Sequence, residues 1–541
     1  MLNVIALWSA MDAQPTTIHF LLNDRDERVE APAGLLVLDF LRQQKRLVGT
    51  KEGCREGDCG ACTVLVGELQ GDPGSGRLQY RPMTSCLMPC AELAGKHLVT
   101  IEGLSRPSES ADPLATLTPV QRAIVEHGAT QCGFCTPGIV VSLTAMVLET
   151  GRPPGPDAVE RALSGHLCRC TGYRSLRASG AAIGEATPNV GSSATDDEAW
   201  GALVEAGFLP HWWLDSVQRL REMAAEHHRS GAEVAGEIPS AETSATDVSI
   251  TEDLPTVIAG GTDLYVQRGE DLPRVAVDVL DRHPEMRGIR VQGGCLHLGA
   301  LTTFEELAEH PKVRPWIPRI EEHMHLVASW QVRTRATLGG NLMNASPIGD
   351  MTILCLALDA EVVLCRGEAC RRQPLRTFYR GYKDLDRAPG ELLTEIVLPN
   401  LDPETRVHFE KVSKRTCLDI ATVNSASCLR LEDGLIADAG LAVGGVAPVP
   451  LRLEETAAEV RGKPLDRATV DWACAVAQEE ISPISDVRGS AQYKRLLVRQ
   501  QLIAHFTTLY PEILPVDDFL PTPSAQDPGV DPPGGAHHAS P

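Results

Sequence analysis

Eight of the sixteen cysteines fall into two short groups, and the first group strongly limits how this part of the chain can fold. In "EGCREGDCGACT", Cys54, Cys59 and Cys62 are separated by four and then two residues, and Cys86 follows in "MTSCLMP". This is the plant-type ferredoxin spacing, which binds a [2Fe–2S] cluster. The glycines between the cysteines allow tight backbone turns and leave N–H groups free to bind sulfur. Zinc and a disulfide are the alternatives, but structural zinc sites usually use two short cysteine pairs.

The second group consists of Cys132 and Cys135 in "TQCGFCTPG" and of Cys168 and Cys170 in "GHLCRCTGYR". Cys135 directly precedes a predicted helix start at Thr136, where the helix dipole favours a thiolate. Taken alone, this quartet is also compatible with zinc. The other eight cysteines are expected to be small buried side chains.

The charge argues against a nucleic-acid-binding protein, and the hydropathy argues against a membrane-spanning one. Acidic residues outnumber basic ones by 72 to 50, the formal net charge is -22, and there is no basic run of the kind that nucleic-acid binders carry. No apolar stretch approaches the roughly 18 residues of a membrane span. The start of the chain, whether at Met1 or at Met11, lacks the pattern of a signal peptide, so we expect a cytoplasmic protein whose paired cysteines bind metal.

The length predicts three or four domains of ~150 residues each, and the apolar periodicity divides the chain further. Thr118, Pro119 and Gln121 form a capping-box pattern at one helix start. In chain order we expect a small sheet with one helix (15–100), a helical bundle (101–185), a linker with one helical segment (186–250), two α/β units (251–432 and 433–512) and a disordered tail (513–541).

Two Gly-Gly stretches, in "TVIAGGTDLYV" and "RATLGGN", have the pattern of a turn whose successive N–H groups can face a pyrophosphate. For either stretch taken alone, an ordinary tight turn is the favoured interpretation. The chain has no G-x-G-x-x-G fingerprint and no Walker motif, so neither stretch indicates a Rossmann site.

Read together, "CREGDCGACTV", "QCGFCTPG" and "GHLCRCTGYR" resemble the two-cluster region of the xanthine dehydrogenase and aldehyde oxidase family. The Gly-Gly stretches, "GELLTEIVLP" and "FEKVSKRTCLDIATVN" resemble its flavin domain, and residues 434–510 resemble the small domain that follows. The resemblance implies a multidomain α+β protein. Its units would be a β-grasp ferredoxin-like domain, a four-helix-bundle [2Fe–2S] domain, a two-part FAD-binding domain of the vanillyl-alcohol-oxidase (PCMH) type, and a small C-terminal α/β domain.

The same resemblance implies the site residues, none of which is catalytic in its own right. A bulky aromatic near the flavin in related enzymes is replaced here by Val327. The cluster ligands would be Cys54, Cys59, Cys62, Cys86, Cys132, Cys135, Cys168 and Cys170. The FAD contacts would be Val257, Ile258, Ala259, Gly260, Gly261, Thr262, Asp263, Leu264, Thr337, Leu338, Gly339, Gly340, Asn341, Asp350, Leu393 and Lys411.

The implied activity is electron transfer during oxidation of hypoxanthine and xanthine to urate. Electrons would pass from a molybdopterin cofactor on a separate large subunit through two [2Fe–2S] clusters to FAD and then to NAD. The expected assembly is a dimer of heterodimers, without nucleic acid or membrane. The alternatives are the equivalent subunit of another molybdenum hydroxylase, acting on an aldehyde or an N-heterocycle, and a stand-alone NADH-dependent iron–sulfur flavoprotein.

Overall fold

A five-stranded mixed sheet crossed by one short helix forms the first unit. The computed structural model describes residues 15–70, 77–105, 116–150, 153–191, 194–234 and 255–520. The elements of the first unit are β1 (Pro15–Leu22), β2 (Arg25–Pro32), α1 (Val37–Asp39), β3 (Thr63–Gln70), β4 (Arg77–Thr84) and β5 (His97–Val99). The strand order is β2-β1-β5-β3-β4, with only β1 and β5 parallel. The first cysteine loop connects the end of the α1 region to β3.

A helical bundle follows the sheet. Its elements are α2 (Ile101–Leu104), α3 (Pro119–Glu126), α4 (Thr136–Thr150), α5 (Pro156–Leu163) and α6 (Arg174–Ala186). The predicted capping box is confirmed, because the Gln121 N–H donates to Thr118 Oγ1 (3.3 Å) and the Thr118 N–H donates to Gln121 Oε1 (3.0 Å). Helix α4 begins at Thr136, directly after Cys135.

The segment expected to be a linker with one helical segment instead contains two packed helices, α7 (Asp196–Glu205) and α8 (Trp213–Val234). Gly207, with φ +78°, lies in the turn that separates them. Trp200 and Trp213 are buried against Tyr80 of β4, with ring centroids 5.5 and 4.6 Å away. The helices therefore cover the first sheet, a contact that no local pattern encodes. Residues 235–250, candidate starts Met1 and Met11, and tail residues 521–541 lie outside the described residues.

A larger α/β unit begins at Thr256. Its elements are β6 (Thr256–Ile258), α9 (Leu264–Arg268), β7 (Val277–Val279), β8 (Ile289–Gln292), β9 (Cys295–Gly299), α10 (Phe304–Glu309), α11 (Ile320–Met324), α12 (Trp330–Arg333), α13 (Leu338–Met343), α14 (Asp350–Ala357), β10 (Glu361–Arg366), β11 (Ala369–Pro374), β12 (Tyr379–Gly381), β13 (Asp384–Leu385) and β14 (Leu392–Leu398). Strands β6 and β7 form a parallel pair, and a five-stranded antiparallel sheet has the order β11-β10-β14-β9-β8.

The last unit is a four-stranded antiparallel sheet covered by helices. Its elements are β15 (Arg406–Val412), β16 (Val423–Glu432), β17 (Leu435–Gly444), β18 (Leu451–Arg452), α15 (Glu454–Val460), α16 (Arg467–Glu480) and α17 (Ala491–Leu509). The sheet runs in chain order, so the boundary expected between 432 and 433 falls inside the β16–β17 hairpin. The overall multidomain α+β class is confirmed. In the part of the chain that the structure describes, no helix is long and apolar enough to cross a bilayer.

Ion pairs are buried where these units meet. Glu305 of α10 binds Arg333 of α12 (Oε2–Nε 2.6 Å) and Arg161 of the helical bundle (Oε1–Nη1 3.3 Å). Arg335, whose side chain is fully buried, binds Glu92 of the first unit (Nη2–Oε2 2.9 Å). A buried charge that lost its partner would be strongly destabilising, so these pairs tie the first two units to the larger α/β unit.

Three buried histidines meet between the last two units. His408 Nδ1 lies 2.9 Å from His505 Nδ1, and His505 Nε2 lies 2.8 Å from Ser425 Oγ. The ring of His323 packs 5.7 Å from that of His408, and neither of its nitrogens has a hydrogen-bond partner among the described residues. Burial lowers the pKa of His323 to about 3 and that of His408 to about 4, and it places the pKa of His505 well below its usual value.

These histidines should make the fold sensitive to acid. An unfolded histidine binds a proton below pH ~6.5, whereas the buried ones stay neutral down to the values above, so stability is complete above ~6.5 and falls as the pH is lowered. At pH ~5 the loss should be roughly 2 kcal/mol each for His323 and His408. His323→Leu should therefore weaken the pH dependence of the urea midpoint, whereas the exposed control His127→Leu should keep it. Identical pH dependence in wild type and His323→Leu would contradict this.

Candidate functional site

The first cysteine quartet lies in a loop whose thiols meet in pairs. The side chains of Cys54 and Cys59 contact each other, as do those of the buried Cys62 and Cys86. Backbone N–H groups point at the sulfurs: that of Glu56 lies 3.3 Å from Cys54 Sγ, and that of Cys54 lies 3.4 Å from Cys59 Sγ. Such N–H donors stabilise the negative charge of thiolate ligands.

Glycines give this loop its shape. Gly57 and Gly60 have φ of +80° and +67°, in the left-handed region that residues with a Cβ rarely adopt. A methyl group at Gly53 would lie only 2.7 Å from Cys59 Sγ. These glycines thus let the loop turn tightly and pass close to the thiols.

The second quartet lies nearer the surface. Cys132 and Cys170 are exposed, with 3.5 Å between their sulfurs, while the more buried Cys135 contacts Cys168. The backbone N–H of Phe134 and the thiol of Cys170 hold the pKa of Cys132 below its usual value. One edge of this quartet therefore faces solvent in the described chain.

The donor set fits [2Fe–2S] clusters better than a single zinc ion. In a two-iron cluster each iron binds two thiolates, so the ligands are needed as two pairs. The contact between the thiols of Cys54 and Cys59 lowers the pKa of Cys54 to about 5 and raises the pKa of Cys59, so it favours the thiolate form at Cys54 only. The eight ligand assignments remain predictions.

The two Gly-Gly stretches lie side by side in the larger α/β unit. The first follows β6, and the carbonyl of Gly260 accepts a hydrogen bond from Arg335 Nη2 (2.8 Å). The second begins at Thr337, whose Oγ1 accepts from the Gly340 N–H (3.1 Å). A methyl group at Gly340 would lie 3.9 Å from Ala259 Cβ, so the two turns border one another. A cradle of two glycine turns suits the pyrophosphate of FAD.

Asp350 and Lys411, both expected at the flavin, form a buried ion pair. Lys411 Nζ lies 2.8 Å from Asp350 Oδ2, and only 2% of the lysine side chain is exposed. The other carboxylate oxygen accepts from Asn424 Nδ2 (2.6 Å). The structure thus pairs Asp350 and Lys411 directly, and Asn424 holds the carboxylate of Asp350. Leu393 of β14 and Val327 are also buried.

The first quartet borders the first Gly-Gly turn through Leu87, the residue after Cys86. A methyl group at Gly261 would lie 3.0 Å from the Leu87 carbonyl oxygen, and Arg335 Nη2 donates to that oxygen (3.1 Å). Cys62, Cys86 and Leu87 share one buried cluster with Ile258. The predicted cluster loop and the predicted flavin turn are therefore in direct contact.

Sequence reasoning missed Arg335 and Asn424. Arg335 joins both regions by binding Gly260, Leu87 and Glu92, and Asn424 supports Asp350. The only local signal is that Arg335 stands two residues before Thr337. Its role depends on contacts with residues far away in the chain.

The expectation for the remaining cysteines is correct in part. Four of them, Cys90, Cys355, Cys428 and Cys474, are buried, but Cys295 and Cys417 are only partly buried. Cys365 and Cys370 instead form a disulfide. They stand opposite each other in the β10–β11 hairpin, a register that brings the two thiols together.

Four family models match the chain in sequence order. They are described as a 2Fe-2S iron-sulfur cluster binding domain (residues 20–91), a [2Fe-2S] binding domain (100–180), the FAD binding domain in molybdopterin dehydrogenase (232–401) and the CO dehydrogenase flavoprotein C-terminal domain (408–509). Both cysteine quartets and both Gly-Gly turns fall within the matched ranges.

Curated relatives cover most of this chain. Xanthine dehydrogenase 1 of Arabidopsis thaliana is 27% identical over 84% of the chain, and aldehyde oxidase 1 of Bos taurus is 27% identical over 86%. The chain spans 37% of the length of each of these two relatives. Among solved structures, a CO dehydrogenase from Oligotropha carboxidovorans is 31% identical, with a TM-score of 0.44 and coverage of 46% of this chain and 87% of that one.

Proposed function

The chain belongs to the molybdenum hydroxylase family, whose two iron–sulfur domains and flavin domains it carries, and on this premise we propose that it is the electron-transfer subunit of a xanthine dehydrogenase. A molybdenum-binding large subunit would oxidise hypoxanthine and xanthine to urate with oxygen taken from water. NAD would accept two electrons and one proton as hydride. Two copies of each subunit would form a heterotetramer in the cytoplasm.

The observation that carries the proposal is the order in which the predicted sites follow one another. The second quartet is exposed at Cys132 and Cys170, where a partner can approach. The first quartet touches the turn at Gly261 through Leu87. This is the arrangement that a chain needs to pass electrons from a partner at one end to a flavin at the other.

Each set of residues has a separate task in this proposal. Bound [2Fe–2S] clusters carry single electrons, and bound FAD exchanges electron pairs with NAD as hydride. The N–H groups of the first loop stabilise thiolate charge, and Arg335 fixes the flavin turn against Leu87. Gln131, exposed beside Cys132, donates to the Cys170 carbonyl (3.2 Å), and we propose that it reaches the pterin of the partner.

The visible spectrum of the anaerobically purified chain tests this function. We expect a flavin band over broad iron–sulfur absorption, with both bleached by NADH. A colourless chain that contains zinc would contradict the cluster assignment. A chain that dithionite bleaches but NADH does not would contradict NAD as the acceptor.

Substrate choice needs a second experiment, because the aldehyde oxidase is as similar to the chain as the xanthine dehydrogenase is. The complex with the co-purified large subunit should be assayed with hypoxanthine, xanthine, an aldehyde and an N-heterocycle. Turnover of the two purines above the others is the expected result. Turnover of the aldehyde or the heterocycle alone would assign the chain to another enzyme of the family.

A further inference from the structure

The two predicted cluster loops meet at a junction built from glycines. A methyl group at Gly60, between Cys59 and Cys62, would lie 2.4 Å from the carbonyl oxygen of Gly165. One at Gly138 of α4 would lie 2.3 Å from the carbonyl oxygen of Gly60. Because glycines have no side chain, the backbones of the segments at Gly60, Gly138 and Gly165 come into direct contact.

One hydrogen bond connects the two quartets at this junction. The N–H of Leu167 donates to the carbonyl oxygen of Cys59 at 3.1 Å. Cys59 is a predicted ligand of the first quartet, and Leu167 directly precedes Cys168, a predicted ligand of the second. The connection from one thiol to the other therefore consists of two short stretches of chain and a single hydrogen bond.

His166 is the buried side chain that holds this junction. Its Nε2 lies 2.7 Å from Ser142 Oγ of α4 and 3.2 Å from Nε2 of Gln331 of α12. Gln331 also donates towards Ser142 Oγ (2.8 Å) and the Ala162 carbonyl (3.1 Å). The imidazole is thus fixed by the helical bundle on one side and by the larger α/β unit on the other.

The other ring nitrogen of His166 points to the first cluster loop. Nδ1 is buried and has no hydrogen-bond partner among the described residues. A methyl group at Gly60 would lie 2.4 Å from it. The ring therefore packs against Gly60 of the first loop, while Ser142 and Gln331 hold its Nε2 on the other side.

We infer that His166 is a positioning residue for electron transfer between the two quartets, with the Cys59–Leu167 hydrogen bond as the path. This rests on the proposed function. With both clusters bound, the step would move one electron from an iron of one quartet to an iron of the other, without any proton transfer or change of covalent bonds. Since such transfer weakens steeply with distance, releasing the ring from Ser142 and Gln331 slows it by lengthening the hydrogen bond.

The test follows single electrons in the full-length chain, without NADH or the partner. Methyl viologen radical, generated by a laser flash, donates one electron, and freeze-quenched samples are analysed by electron paramagnetic resonance for the signal of each cluster. In His166→Ala and Gln331→Ala we expect about tenfold slower exchange between the clusters, as for other residues that support metal ligands. Reduction potentials, measured by redox titration, should stay at their wild-type values.

Two variants provide controls. His166→Gln carries an amide nitrogen near the position of Nε2 and should restore the rate. His323→Leu removes a buried histidine whose ring packs against His408 and Phe409, and it should leave the rate unchanged. Wild-type exchange in both alanine variants, or a change in potential that accounts for the slowing, would overturn the inference. Loss of a cluster from both would also overturn it, in favour of a role in assembly. A wild-type chain without iron would instead contradict the proposed function itself.

Discussion

Cys62→Ser should lower the iron content from about four atoms per chain to about two, since each [2Fe–2S] cluster holds two irons and needs four thiolates. Cys62 is buried and paired with Cys86, so no other thiol can take its place. The second cluster should remain, because its four ligands lie in a separate unit. Iron analysis and electron paramagnetic resonance of the reduced chain measure the effect, and one of two cluster signals should disappear.

Cys90→Ala is the matched control for this experiment. Cys90 is equally buried in the same unit but lies outside both quartets, so the variant should keep about four irons. Unchanged iron in Cys62→Ser would exclude Cys62 as a ligand. Iron loss in both variants would trace the effect to the packing of the unit.

Asp350→Leu should destabilise the protein by about 3–5 kcal/mol, the usual cost of removing one partner of a buried ion pair. The buried Lys411 ammonium loses its counter-ion, and Asn424 loses an acceptor. The flavin content should also fall, because Asp350 is a predicted FAD contact. Urea unfolding and the flavin absorbance of the purified chain measure the two effects.

A double variant separates stability from cofactor binding. Asp350→Leu combined with Lys411→Met replaces the ion pair by apolar side chains, which is often neutral for stability. We expect recovered stability without recovered FAD. Full FAD content in the double variant would exclude both residues from the flavin site.

The parts of the fold that were predictable depend on local spacing. The thiols of Cys54 and Cys59 meet within one loop, and the helix start at Thr118 follows from residues three positions apart, so both could be predicted without knowing the partner elements. The flavin residues were predictable only by resemblance, because two Gly-Gly turns have many uses. Their roles, like the ligand roles of the cysteines, remain to be measured.

The parts that could not be predicted depend on contacts between distant segments. Nothing near Trp200 or Trp213 indicates that Tyr80 is their partner, so the sequence predicts only a linker with one helical segment over 186–250. The boundary expected at 432 does not match the structure for a similar reason. Strands β15 and β16 precede residue 433 in the chain, yet both belong to the last sheet. The contacts of His166 with Gln331 and of Arg335 with Gly260 join residues that stand more than 70 positions apart in the chain, so no local pattern indicates them.

The ion pairs at Glu305 and Arg335 have a consequence for how a chain of this kind can be rearranged by recombination. Arg335 has its counter-charge, Glu92, in the first unit, so a crossover between these units would leave the fully buried Arg335 without its partner, whereas Glu305 would lose Arg161 but keep Arg333. A transplanted iron–sulfur unit would therefore need complementary substitutions in its new host. The units look modular in the sequence. A unit can nevertheless be exchanged only together with the oppositely charged residues that pair with it in the neighbouring unit.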